Sequence, residues 1–288
     1  MPRLLAAAFV SLMLALPPTA PRAGEAKRLV AIGGAVTEII YALGAENLLV
    51  AVDSTSLYPE AADELPDIGY MRRLSAEPIL ALQPDQVIAI EGSGPPAVLD
   101  QLAEAGIDVR RIADEPTPDG VVRKIEEVAT IVGLSDQGER LAAKVHAEFE
   151  VLAEEIGTPG APLRVMFVLN TGRGAPMVGG TGTAADGIMR LAGAANAITG
   201  LEGYKPLSPE AAIQAAPDVI LTMDRSLEIA GGADALLDQP DIALTPAGRN
   251  RALVSMDGLL LLGFGPRTAE AARELAQALA NLTPEPLN

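Results

Sequence analysis

Apolar positions along this chain fall into two blocks of alternating short and long runs. In the first block, aliphatic and β-branched runs near residues 29–32, 49–53, 87–90 and 108–112 read as strands. Stretches near 37–43, 76–83, 95–105 and 118–132 carry helical spacing instead. Strands that alternate with helices predict a mainly parallel sheet with helices on its faces. After Gly133 a single run places Leu141, Val145, Phe149, Leu152 and Ile156 at i+3/i+4 intervals, one apolar stripe of a long helix. Ser135 offers that helix a cap, and Gly157, Pro159 and Gly160 stop it. The alternation then restarts, with strands near 164–169, 218–222 and 252–256 and helices near 184–192, 209–215 and 268–282.

The second block echoes the first. Ser75, Glu77 and Pro84-Asp85 recur at the same spacing as Ser208, Glu210 and Pro217-Asp218, and a Val-Ile strand start follows each copy. In both, the Ser is placed to cap a helix, the Glu lies in the first turn where the helix dipole favours a carboxylate, and Pro-Asp breaks into a strand. Upstream, Ile39, Gly44, Ala45 and Asn47 are matched by Ile188, Gly193, Ala194 and Asn196. The pattern predicts two similar α/β lobes with mainly parallel sheets, joined by one long inter-lobe helix. The expected division is a lobe over 24–133, a connecting helix over 134–157 and a lobe over 158–288. Open α/β sheets present ligands beyond the carboxyl ends of their strands. A cleft lined by Gly33 to Thr37, Asp53, Ser54, Glu91 to Gly94, Asn170 to Arg173 and Met223 to Arg225 is therefore expected.

Ahead of the first strand, Met1-Pro2-Arg3, an apolar run from Leu4 to Leu16 and a Pro/Ala-rich stretch have the three-part layout of a secretory signal peptide, taken here as residues 1–23. The run is shorter than the ~20 residues that a membrane span needs. Cysteine is absent from the sequence, which leaves no disulfide, no thiolate metal site and no lipid-bearing Cys. The expected location is the periplasm, without a lipid anchor. The formal charge is −17, and removing the leader takes away Arg3 and Arg22 and no acid. Nucleic acid is an unsuitable partner for such a surface, and an anionic ligand would need local basic groups.

There is one histidine, His146, and it falls on the connecting helix with no metal-ligand partner nearby, so catalytic triads and His-rich zinc sites lack their parts. Gly179-Gly180-Thr181-Gly182-Thr183 precedes a helix, but no Lys follows, and a tight turn is the better reading. Tryptophan is absent and only four tyrosines occur. Tyr41 sits mid-helix and Tyr58 in a loop, whereas Tyr70 and Tyr204 each precede one of the duplicated helices. Tyr70 stands beside Arg72 and Arg73. Guanidinium neighbours favour a phenolate, and phenolate is a good ligand for ferric iron. Packing of the lobe rim, with both arginines solvated, accounts for the same residues equally well.

Four segments carry a family resemblance: Gly69-Tyr70-Met71-Arg72-Arg73-Leu74-Ser75-Ala76-Glu77, Gly182-Thr183-Ala184-Ala185-Asp186, Leu244-Thr245-Pro246-Ala247-Gly248-Arg249 and Leu262-Gly263-Phe264-Gly265-Pro266-Arg267-Thr268. Over residues 28 to 282 the chain resembles the periplasmic haem-binding proteins of bacterial haem importers, the HmuT, ShuT and PhuT type, which are solute-binding proteins with a helical connector. The resemblance implies haem as the transported ligand, Tyr70 as the axial ligand to its iron, and Arg72 and Arg225 as the arginines near that tyrosine. Arg73, Arg173 and Tyr204 follow as weaker candidates for contact with the propionates or the ring. Some relatives add a histidine in the loop corresponding to Asn170 to Gly174. None stands there, which favours one five-coordinate ferric haem. The partner implied is an inner-membrane ABC haem permease with its ATPase, met by Glu77 and Glu210, with the protein acting as a monomer and not as an enzyme. Siderophore- and cobalamin-binding proteins share the expected fold and form the alternative, ahead of a haem-handling enzyme.

Overall fold

The computed structural model describes residues 27–157, 160–170 and 175–282; the leader and the loop residue Arg173 lie outside them. The first lobe runs β1 (Leu29–Ile32), α1 (Gly34–Ala42), β2 (Leu49–Val52), α2 (Ala76–Ala81), β3 (Gln86–Ile90), α3 (Pro96–Glu104), β4 (Asp108–Ile112) and α4 (Pro118–Val132). Its sheet is parallel in the order β2-β1-β3-β4, and β1 and β3 are apolar and buried throughout apart from the buried amide of Gln86, as strands covered on both faces must be. A connector, α5 (Ser135–Ile156), leads to the second lobe: β5 (Arg164–Asn170), β6 (Met177–Gly179), α6 (Ala184–Leu191), β7 (Ala195–Asn196), β8 (Tyr204–Pro206), α7 (Pro209–Ala215) and β9 (Val219–Met223). Short helices α8 (Asp224–Ala230), α9 (Ala233–Leu237), α10 (Pro240–Ala243) and α11 (Pro246–Asn250) precede β10 (Leu253–Met256), α12 (Gly258–Leu262) and α13 (Thr268–Leu282). The second sheet, ordered β10-β9-β5-β6-β8 with β7 beside β5, is mixed because β6 and β8 pair antiparallel.

The duplication extends to individual hydrogen bonds. Asp85 accepts from the Arg28 N–H at 2.8 Å, and the Arg28 guanidinium donates to the Leu82 carbonyl at 2.9 Å. In the second lobe Asp218 accepts from the Arg164 N–H at 2.8 Å, and Arg164 donates to the Ala215 carbonyl at 2.8 Å. Gly44 and Gly193, with φ of 71° and 74°, end equivalent helices in the left-handed conformation that favours glycine. Two expectations fail in detail. Ser135 is the first residue of α5, whose N-cap is Leu134 and which has no side-chain capping bond. Ser208 caps α7 by accepting the Ala211 N–H at 3.3 Å, but Ser75 makes no capping bond to α2.

The lobes share one continuous apolar core, in which Ile40, Ile125 and Val145 belong with Phe167, Leu261 and Leu275. Helix α5 packs along α4 on one side and α13 on the other. One ion pair and one charged hydrogen bond tie the lobes together. Glu38 of α1, 5% exposed, receives Arg267 through its backbone N–H at 3.3 Å, Nε at 3.1 Å and Nη2 at 3.0 Å. Lys124 of α4, 1% exposed, reaches Asp114 Oδ1 at 2.5 Å and the Phe264 carbonyl at 3.1 Å. A buried ammonium is tolerated only when it is paired and hydrogen-bonded, and Asp114 of its own lobe and the Phe264 carbonyl of the other supply these partners. Among the described residues no helix is long and apolar enough to cross a membrane.

Candidate functional site

The site is built on the loop that leaves β2. Asp53 ends that strand and is 2% exposed; its carboxylate accepts from the Gly33 N–H at 2.8 Å, the Thr55 N–H at 3.0 Å, the Thr55 hydroxyl at 2.8 Å and the Ser56 hydroxyl at 3.0 Å. Thr37 joins it through a 2.7 Å bond with Ser56. Gly33, Thr37 and Asp53 therefore form a buried floor that fastens the loop to the start of α1, and do not line the cleft as the strand-end rule suggested. Farther along, the Ile68 N–H donates to the Val52 carbonyl at 3.0 Å and the Ser54 N–H to the Gly69 carbonyl at 3.1 Å. Gly69 has φ 93°, a turn that brings Tyr70 to the rim. The turn closes with the Arg73 N–H on the Tyr70 carbonyl at 2.8 Å.

Tyr70 is 37% exposed, an aromatic ring left open at the edge of a protein poor in aromatics. Arg72 Nη1 donates to its phenol oxygen at 3.5 Å, and the Arg73 guanidinium lies 5.9 Å from the ring centroid. Tyr204, from β8 of the facing lobe, is more buried and makes an edge-to-face contact with Phe167 at 6.3 Å. Burial pushes its phenol above the ordinary tyrosine range, while the Ala185 N–H, the Arg72 guanidinium and the Thr183 hydroxyl pull it back and Asp114 adds to the rise. Arg72 and Asp114 of the first lobe thus act electrostatically on a side chain of the second. The same burial disqualifies Tyr204 as a phenolate. Tyr70 is exposed and has a guanidinium 3.5 Å from its phenol oxygen.

Arg225 lies in the first turn of α8, not in a loop, because Asp224 starts a helix directly after β9. It is exposed and makes no ion pair or hydrogen bond among the described residues. No contact joins it to Tyr70. Glu77 and Glu210 occupy the second position of α2 and α7, both exposed. The Glu210 carboxyl is held below its usual range by its own backbone N–H and by the Ser208 hydroxyl. His146 is exposed on α5, 3.9 Å from Glu150, as its place on the helix implied. Among the described residues no cluster of three His, Cys, Asp or Glu side chains could hold a metal ion.

Sequence reasoning missed three features of this region. Arg267 stacks on Tyr58 at 3.5 Å while holding Glu38, and Arg111 joins Ser93 around a depression next to Arg72. Asp114 pairs with the buried Lys124. None of these pairings follows a local spacing.

The family model for the periplasmic binding proteins matches residues 29–259. The chain is a periplasmic binding protein. Among solved structures, the apo periplasmic haem-binding protein RhuT from Roseiflexus sp. RS-1 is 44% identical with a TM-score of 0.84, covering 90% of this chain and 99% of its own. The periplasmic haem-binding protein BhuT, solved with two haems, is 41% identical, also with a TM-score of 0.84, covering 89% and 98%. A vitamin B12-binding protein of Yersinia pestis is 28% identical over 98% of this chain and 94% of its own. Both the fold and the lobed architecture of this binding protein are those of its relatives.

Proposed function

We propose that this periplasmic binding protein captures haem between its lobes and delivers it to an inner-membrane ABC permease with its ATPase. The observation that carries the reading is the exposed Tyr70 phenol at the rim with Arg72 3.5 Å from its oxygen. An oxygen so placed binds ferric iron as phenolate, and the adjacent guanidinium offsets the charge that the proton leaves behind. Arg73 lies against the ring, Tyr204, backed by the buried Phe167, is a contact for the porphyrin, and Arg225 is the arginine of the facing lobe. Arg173 stays in the proposal as a contact for the propionates. The role is capture and release by an exported monomer carrying one haem, without turnover, processed from the leader at residues 1–23.

Cobalamin is the second reading, favoured by the vitamin B12-binding relative. Against it stand the lower identity of that relative and the exposed Tyr70 phenol, which suits a metal with an open axial position. Titration with haemin, followed by visible absorption with cyanocobalamin as competitor, tests the choice. A ferric phenolate spectrum insensitive to cobalamin is expected; capture of cobalamin without a haemin spectrum would overturn the haem reading.

Two further results are expected. Replacing Arg72 with Ala should weaken the capture of ferric haemin, because the phenolate loses the guanidinium 3.5 Å from its oxygen. Parental affinity in that variant would remove Arg72 from the site. Loading should also change the molecule's dimensions little, since α5, the shared core and the Glu38–Arg267 and Lys124–Phe264 ties resist the wide closure that extended hinges permit. Small-angle scattering of apo and haemin-loaded protein measures this, and a large fall in radius of gyration would show that these ties yield.

A further inference from the structure

Behind Arg72, between the carboxyl ends of β3 and β4 and the start of α3, the first lobe holds a depression of about 540 Å³. Ile90, Pro95, Pro96 and Leu99 give it an apolar wall, and Arg72, Arg111, Glu91 and Ser93 give it polar positions. Ser93 is 8% exposed, and its hydroxyl has no hydrogen-bond partner. A buried hydroxyl left unpaired costs about 1–3 kcal/mol, so a side chain held this way in a lining position needs an explanation. Arg111 donates one bond, 2.7 Å to Asp100 Oδ1, and the rest of its donor fork is uncommitted. Glu91 is turned to the Asp114 N–H at 3.4 Å. Arg72 and Arg111 bring two guanidinium groups to the depression, the second already paired with Asp100, in a chain of formal charge −17. It is also rigidly joined to Tyr70: the Gly94 N–H donates to the Met71 carbonyl at 2.8 Å, and the Leu74 N–H to the Gly94 carbonyl at 3.0 Å.

An apolar wall that ends in cationic and hydroxyl donors matches a carboxyalkyl arm, whose methylenes pack while its carboxylate is paired. We infer that this depression is a carboxylate subsite in which the Ser93 hydroxyl and the Arg111 guanidinium hold a propionate of the porphyrin, an assignment that rests on the haem reading above. Arg72 is the shared wall, with one face toward the Tyr70 oxygen and the other toward the subsite. The subsite selects tetrapyrroles by their acidic edge. Cobalamin, whose peripheral carboxyls are amides, cannot use it.

The test compares haemin with haemin dimethyl ester in the parent and in S93A, R111Q and the double variant. The parent is expected to bind the ester about tenfold more weakly, the scale of one lost charge-assisted pairing. The double variant should bind free-acid haemin about tenfold more weakly than the parent, keep the phenolate spectrum, and show little further loss on esterification, the coupling expected of groups in direct contact. Apo S93A should melt no lower than the parent, since it loses a hydroxyl that had no partner. An equal ester penalty in parent and double variant, or parental affinity in the double variant, overturns the subsite while leaving haem capture intact. Failure of the parent to bind haemin at all overturns the haem reading and the subsite with it.

Discussion

Replacing Tyr70 with Phe should abolish the ferric phenolate absorption and weaken haemin capture by more than about a hundredfold. The ring, its contact with Arg73 and the turn set by Gly69 all survive that change, so only the oxygen is lost. Changes to groups that merely support a metal ligand cost about 10–100-fold, and loss of the ligand itself must exceed that range. Tyr70→Ala should behave the same way in the spectrum. Because Tyr70 is 37% exposed and outside the core, neither variant should lower the thermal midpoint of the apo protein noticeably. Survival of the spectrum and the affinity in Tyr70→Phe would show that another group holds the iron.

The second large effect is expected far from the haem. Glu77→Lys combined with Glu210→Lys should leave haemin binding at the parental level and abolish haem-dependent transport by the cognate importer in proteoliposomes. The two glutamates are equivalent positions of the duplicated lobes, exposed on first helical turns, and a pseudo-twofold protein presents them as a matched pair to a twofold membrane partner. Helix stabilisation competes as an account of their presence: an acid in the first turn contributes about 0.3–1 kcal/mol, and Glu210 also receives the Ser208 hydroxyl. That account applies unequally, because Ser75 makes no capping bond in the first copy. A capping role predicts lower helix stability and unchanged transport, whereas docking predicts lost transport with binding preserved. Transport at the parental rate would assign the pair to capping and place the docking surface elsewhere.

Local signals determined much of this protein. Short continuous apolar runs located the strands of the parallel core, and the 3.6-residue pattern the long connector, to within a few residues, because burial on both faces of a strand or on one face of a helix is written into the chain directly. The repeat of Ser, Glu and Pro-Asp announced two lobes, and the Arg28–Asp85 and Arg164–Asp218 pairs show that the duplication reaches the hydrogen bonds. Short elements escaped: β6, β8 and helices α8 to α11 are too brief to show a period, and so Arg225 fell in an expected loop and not on the first turn of α8.

Tertiary structure alone decided which side chains meet. Arg267 holds Glu38 across 229 positions of sequence, and Lys124 reaches the Phe264 carbonyl across 140. Ser93 becomes an unpaired buried hydroxyl only when the turn after β3 closes against the Tyr70 loop. Tyr70 and Tyr204 both precede a duplicated helix, and the two adjacent arginines already set Tyr70 apart in the sequence; the structure adds that β8 places Tyr204 against Phe167, where burial raises its phenol, while the Gly69 turn leaves Tyr70 open beside Arg72. Solvation and the distance to a charge are three-dimensional quantities, and no spacing along a chain carries them.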